Sequence, residues 1–170
     1  DFSTQERGGV LGRYLLRKNS IPHSLEATHE EILKVWEEGG SDRVTTGESF
    51  FINRRNGVIQ SWYVFTDKQE AGFLPRGFDE EKKNFAIFNS SMDEYEGIAN
   101  FTSRIYSDDN AGIRAILTYF REDASKHFYL RVHPNLVGLK NSQVREIERL
   151  DREFENLTVI RAEEVVDSYR

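Results

Sequence analysis

The residues best suited to chemistry lie in two short polar runs, Asn89-Ser-Ser-Met-Asp-Glu-Tyr95 and Arg131-Val-His-Pro-Asn135. Serine hydroxyls and free turn amides hold a phosphate or carboxylate without needing net charge. A histidine donates to a phosphate oxygen, or acts as an acid where its pKa is suitable. Arg131 adds a cation, and alternation along a strand places it on the same sheet face as His133. Ser90, Ser91, Arg131, His133 and Asn135 therefore form the candidate phosphate-binding set. Asp93 and Glu94 oppose a purely anionic ligand and suit sugar hydroxyls or a general-base role. A plainer alternative stays open. A histidine before proline at a strand end often only bonds a neighbouring loop, and Ser-Ser-x-Asp-Glu is an ordinary helix start. Neither a nucleophilic triad nor a metal-ligand cluster is legible, and no catalytic residue is assigned. His127, at the strand's other end, reads as structural.

Those runs need strands and helices to position them. Phe128, Leu130 and Val132 alternate with Tyr129 and Arg131, and Pro134 closes the run because proline cannot continue a central ladder. Phe85-Ala-Ile-Phe88 has no polar interruption, the pattern of a strand covered on both faces. Ser107 is expected to cap a helix with Ile113, Ile116, Leu117 and Phe120 on its apolar face. Asn141 or Ser142 starts another, with Val144, Ile147, Leu150 and Phe154 at helical spacing. Leu157-Thr-Val-Ile160 is a third strand. The order β-α-β-α-β is that of an α/β, Rossmann-like half with a parallel sheet, in which ligands collect at the carboxyl ends of the strands. The series stops at Asp167-Ser-Tyr-Arg170, where a further helix is expected. The chain thus reads as cut short, with an open sheet edge available for self-association.

Residues 1–75 read as a connector segment and 76–170 as the partial Rossmann-like domain. Within the connector, Thr28-His-Glu-Glu31 has the form of a capping box, predicting a helix over 28–38 that ends at Gly39-Gly40. Asn56-Gly57, flanked by aromatic and β-branched residues, predicts a β-hairpin over 48–65. Arg54 and Arg55 at its tip read as solvated charges. Gly8-Gly9 and Gly12 lack the flanking strand and Lys-Ser/Thr of a phosphate loop, and His29 with Glu30 and Glu31 reads as a solvated first turn.

A formal net charge of -6 argues against general nucleic-acid binding, which needs a basic surface. The chain has no cysteine, which excludes disulfides and fits a reducing compartment. No apolar run approaches the roughly 20 residues of a membrane span, and no charged-then-apolar leader opens the sequence. A cytoplasmic protein without a transmembrane segment is the expectation.

Phe85-Ala-Ile-Phe-Asn-Ser-Ser-Met-Asp-Glu-Tyr95, Tyr129-Leu-Arg-Val-His-Pro-Asn-Leu136 and Val165-Val-Asp-Ser-Tyr169 together resemble the capsular polysaccharide biosynthesis proteins of bacteria. These look like GT-B-type glycosyltransferases, with two Rossmann-like domains facing a cleft. The resemblance covers most of residues 76–170. It implies the first half of a nucleotide-sugar donor domain in a cytoplasmic enzyme, at the inner face of the membrane. The nucleotide-sugar would be substrate, no cofactor would be needed, and a glycan acceptor would bind the complete protein. By the same resemblance His133 lies at the donor phosphate. The family's Gly-Ser-Thr loop and Glu-Ala helix start, and its acceptor domain with the catalytic base, are expected beyond these residues, so little or no turnover is expected from the chain alone. Two rival readings are a non-catalytic α/β module that binds a protein partner through a sheet edge or hairpin, and a small phosphate-ester enzyme using Ser90 or Ser91.

Overall fold

A computed structural model describes residues 4–8, 13–17, 24–58, 65–94 and 105–169. The chain divides into two compact units, Asp1–Asp67 and Lys68–Arg170. In the first, strands β1 (Thr4–Gly8) and β2 (Arg13–Arg17) pair antiparallel, with Glu6 opposite Leu15. Helix α1 spans Leu25–Glu38. It starts one turn earlier than the capping box predicts, because Ser24 is the cap: its Oγ accepts from the Ala27 amide at 3.3 Å. Thr28 instead donates its hydroxyl to the Ser24 carbonyl at 2.8 Å.

The first arm of the expected hairpin is a helix, α2 (Arg43–Arg55). Asn56-Gly57 serves as its C-terminal stop. The Gly57 amide donates to the Arg54 carbonyl at 3.2 Å and the Val58 amide to the Asn53 carbonyl at 2.9 Å. These are the two bonds of a Schellman motif, which needs a left-handed residue, and Gly57 has φ +73°. The same dipeptide suits a type I′ turn and a helix stop, and the backbone bonds decide between them. Most of the second arm, residues 59–64, lies outside the described residues. Neither α1 nor α2 buries a residue.

The second unit carries the parallel sheet, in spatial order β3 (Lys83–Phe88), β4 (Lys126–Arg131), β5 (Leu157–Ile160). Phe85 pairs with Phe128, and Phe128 with Leu157. Helices α3 (Asp109–Tyr119) and α4 (Ser142–Glu153) make the crossovers. Two successive crossovers of the usual right hand, in unreversed strand order, put both helices on one face. There Ile113, Leu117, Phe128, Leu130, Leu136, Ile147, Leu150 and Phe154 form the main core. Leu117, Leu130 and Leu150 are wholly buried; such side chains contribute about 1.5–3 kcal/mol each. Asp108 caps α3, accepting from the Ala111 amide at 2.9 Å, while Ser107 donates its hydroxyl to Asp108. Asn141 caps α4, accepting from the Val144 amide at 2.9 Å. Arg114 ties the helices together, bonding Glu146 at 2.6 Å and Glu153 at 2.5 Å.

The opposite face has a thinner cover. Tyr129, Ile160 and Val166 cluster there with Phe78. The segment from Gln69 to Phe73 hydrogen-bonds to residues 165–168: the Glu70 amide donates to the Val165 carbonyl at 2.7 Å and the Asp167 amide to the Phe73 carbonyl at 2.9 Å. Residues 69–75 thus belong with the sheet and not with the connector. The expectation that β3 is covered on both faces fails as well. It is an edge strand, with Phe85 41% and Phe88 61% exposed. Among the described residues no helix is long and apolar enough to cross a membrane.

Candidate functional site

The carboxyl ends of β3 and β4 are joined by one side chain. Asn89, buried at the end of β3, accepts the His133 backbone N–H on its Oδ1 at 2.9 Å. That bond brings the 89–94 loop against the 133–136 turn. Pro134–Leu136 forms a 3₁₀ turn capped by His133 itself, whose Nδ1 accepts from the Asn135 amide at 3.2 Å. With Nδ1 an acceptor, the neutral ring carries its proton on Nε2. Nε2 faces the Glu94 carboxylate at 3.9 Å, and the Asn135 side-chain amide donates to the same carboxylate at 2.6 Å. His133, Asn135 and Glu94 thus form one partly exposed cluster with one acid and two donor-bearing groups.

Other candidates are engaged elsewhere. Ser91 is fully buried and donates to the Asp93 carboxylate. The exposed Ser90 lends its amide to the Asp109 carboxylate at 3.2 Å, and its carbonyl accepts from Gln143 at 2.8 Å. An anion arriving at the Ser90 amide would have to displace a carboxylate already bound there. Arg131 does not join His133. Its Nη2 donates to the Ala162 and Glu164 carbonyls at 3.1 and 2.9 Å, across the thinly covered face. Strand alternation would align residues 131 and 133 only if the strand continued, but β4 stops at Arg131 and the chain turns at Pro134. Burial lowers the Arg131 pKa below its ordinary value, and Glu164 and Glu163 oppose that shift.

Three positioning residues escaped the sequence reading as individuals. Asn89 lies in the polar run but its role depends on burial. Gln143 is 2% exposed; its Oε1 accepts the Met92 amide at 3.1 Å and its Nε2 holds the Ser90 carbonyl. Asn110 donates to the Gln143 carbonyl at 3.1 Å, fixing the start of α4 against α3. A polar residue in the first turn of an otherwise apolar-faced helix is the signal available for Gln143 and Asn110. His127 bonds Thr158 Oγ1 at 2.8 Å and packs its ring 4.8 Å from Tyr129, away from the strand-end cluster. Burial lowers its pKa, with Lys82 adding to the effect and Asp79 opposing it.

The cluster can recognise vicinal hydroxyls. Glu94 accepts, Asn135 and His133 Nε2 donate, and a sugar hydroxyl does both. It is poorly suited to concentrate phosphate charge, since Asp93, Glu94 and Asp109 outweigh a single imidazole nearby. Among the described residues no group of three or more His, Asp or Glu side chains could hold a metal ion. No family model, curated protein or solved structure matches the chain.

Proposed function

We propose that the second unit contributes to nucleotide-sugar donor binding in a glycosyltransferase-like protein of capsular or surface polysaccharide biosynthesis. The observation that carries this reading is the Glu94–Asn135–His133 cluster at the carboxyl edge of a parallel sheet, where α/β sheets bind ligands. Glu94 and Asn135 bind ribose or sugar hydroxyls, and the His133 Nε2–H donates one hydrogen bond to an oxygen of the donor. Asp93, exposed beside Glu94, is a further hydroxyl contact. The unit supplies binding and orientation; no catalytic base is assigned to it. A glycan acceptor is the partner of the complete protein, whose place is the cytoplasm.

The test is titration of the chain with CMP, UDP and GDP and a matching sugar nucleotide, followed by amide NMR shifts. The proposal expects saturable shifts confined to residues 89–94 and 133–136, larger for the sugar nucleotide than for the bare nucleotide, and abolished in Glu94→Gln. Shifts elsewhere, or none with the chain folded, count against it. The rival reading, a module that docks a protein partner or a second copy, draws on the exposed Phe88 at the β3 edge. It predicts concentration-dependent association that Phe88→Ser abolishes.

A further inference from the structure

The parallel sheet has two edges, and they are finished differently. β5 is four residues long, and the Leu157 amide at its start is taken by the Phe154 carbonyl at 3.2 Å. β3 is six residues long, and among the described residues no strand pairs with its outer side. Soluble proteins blunt such edges with a central charge, a proline or a bulge. Asn84-Phe-Ala-Ile-Phe88 has neither charge nor proline, and its register against β4 runs unbroken. Phe85, Ala86 and Phe88 are all exposed.

The ladder fixes which backbone groups face off the edge. The Lys83 amide donates to the Ser125 carbonyl at 2.8 Å, on the β4 side. Alternation then turns the N–H and C=O of Phe85 and Ile87 towards β4 and those of Asn84, Ala86 and Phe88 outward. The side chains divide in the same way. Phe85 stacks on Phe128 at 5.2 Å and Ile87 packs against the same core, on the helix face. Asn84, Ala86 and Phe88 therefore lie on the opposite face.

We propose that the β3 edge recognises β3 of a second copy of this chain, antiparallel, about a two-fold axis at Ala86. One register pairs all three outward-facing residues among themselves, Ala86 with its own counterpart and Asn84 with Phe88. Each of these pairs exchanges two N–H···O bonds. Phe85 then stands opposite the partner's Ile87 on the helix face, in a non-hydrogen-bonded pair where side chains sit closest. On the other face the small Ala86 at the axis leaves room for the Phe88 rings.

Charge selects this occupant and its direction. Lys83, exposed at the start of β3, shares the helix face with Phe85 and Ile87. At the other end Asp109 opens α3 on that face, and its carboxylate accepts the Ser90 amide at 3.2 Å. In the antiparallel register Lys83 stands opposite the partner's Asn89, beside the amide that holds Asp109. Lys83 of each copy thus meets Asp109 of the other. A parallel partner would instead set lysine beside lysine and acid beside acid. Glu80 and Glu81 lie in the turn before β3, outside the paired stretch. The self-association reading gains a defined geometry here, and the edge uses none of Glu94, His133 or Asn135, so it is independent of donor binding.

The test combines sedimentation of the full chain, from micromolar to millimolar concentration, with amide hydrogen exchange at both ends of that range. A concentration-dependent dimer is expected. In it the amides of Asn84, Ala86 and Phe88 gain protection, whereas those of Phe85 and Ile87 are protected at both concentrations. Ala86→Pro removes an outward amide that the fold does not use, and should leave a folded monomer. Lys83→Glu should weaken the dimer about tenfold. Combining it with Asp109→Lys should restore association, since each copy then carries both reversed charges. Where Ala86→Pro fails to fold, the exchange pattern of the unaltered chain decides. A chain that stays monomeric at millimolar concentration overturns the proposal. So does a dimer whose Asn84, Ala86 and Phe88 amides exchange as fast as in the monomer, or one that persists in folded Ala86→Pro.

Discussion

Asn89→Ala tests how the two strand ends are held together. The substitution removes the acceptor of the His133 N–H, a 2.9 Å bond between segments 44 residues apart, and a short-range bond from Asn89 Nδ2 to the Ser90 carbonyl at 3.1 Å. The second bond spans one residue and contributes little. The first leaves a partly buried amide without a partner, costing about 1–3 kcal/mol. Because His133 retains some exposure, a value near 2 kcal/mol is expected, from the same range. At an m-value of roughly 2 kcal/mol/M the urea midpoint should fall by about 1 M, and Tm by roughly 10 °C for a unit of this size. Urea denaturation followed by far-UV circular dichroism reads the first quantity. Amide spectra of the folded variant read the second consequence, displaced signals for His133 and Asn135 with β4 residues unmoved. A variant of unchanged midpoint whose His133 amide does not shift would refute the claim that Asn89 joins the strand ends.

Leu130→Ala, at a wholly buried position in the central strand, should cost about 3–5 kcal/mol by urea denaturation; a loss under about 1 kcal/mol would contradict the packing of α3 and α4 on that face. Gly57→Ala places a side chain at φ +73°, where its Cβ would meet the Asp67 Cα at 2.8 Å. It should fray α2, seen as lost helical shifts over 50–55, whereas an unchanged helix would contradict the Schellman stop. His127 has a folded pKa below its ordinary value, so the folded chain binds fewer protons than the unfolded one. Its contribution is therefore complete above pH about 6.5 and declines as pH falls through that value toward the folded pKa. His127→Gln should flatten the stability change between pH 7 and 5, and an unaltered slope would contradict the burial.

The α/β half was legible because each of its elements carried an independent signal. Alternation marked β4, an apolar run marked β3, and capping residues before apolar faces marked α3 and α4. The juxtaposition of the 89–94 and 133–136 segments followed from parallel strands having their carboxyl ends on one side. What failed were inferences with two physical solutions. Asn56-Gly57 satisfies both a hairpin turn and a helix stop, and the bonds from Gly57 and Val58 that distinguish them are not encoded in residue type. Arg131 and His133 share a face only while the strand lasts, and Pro134 ends it. The charge-free phosphate site expected at Ser90 and Ser91 met a competitor, since Asp109 already takes the Ser90 amide.

The donor-binding reading meets its most direct test in one titration of the chain with UDP, CMP or GDP and the matching sugar nucleotide, observed at the amides of Glu94, His133 and Asn135. The account predicts saturable shifts at those three positions, stronger with the sugar attached and lost in Glu94→Gln. Shifts that ignore the sugar and survive Glu94→Gln, or a folded chain that responds to none of them, would contradict it.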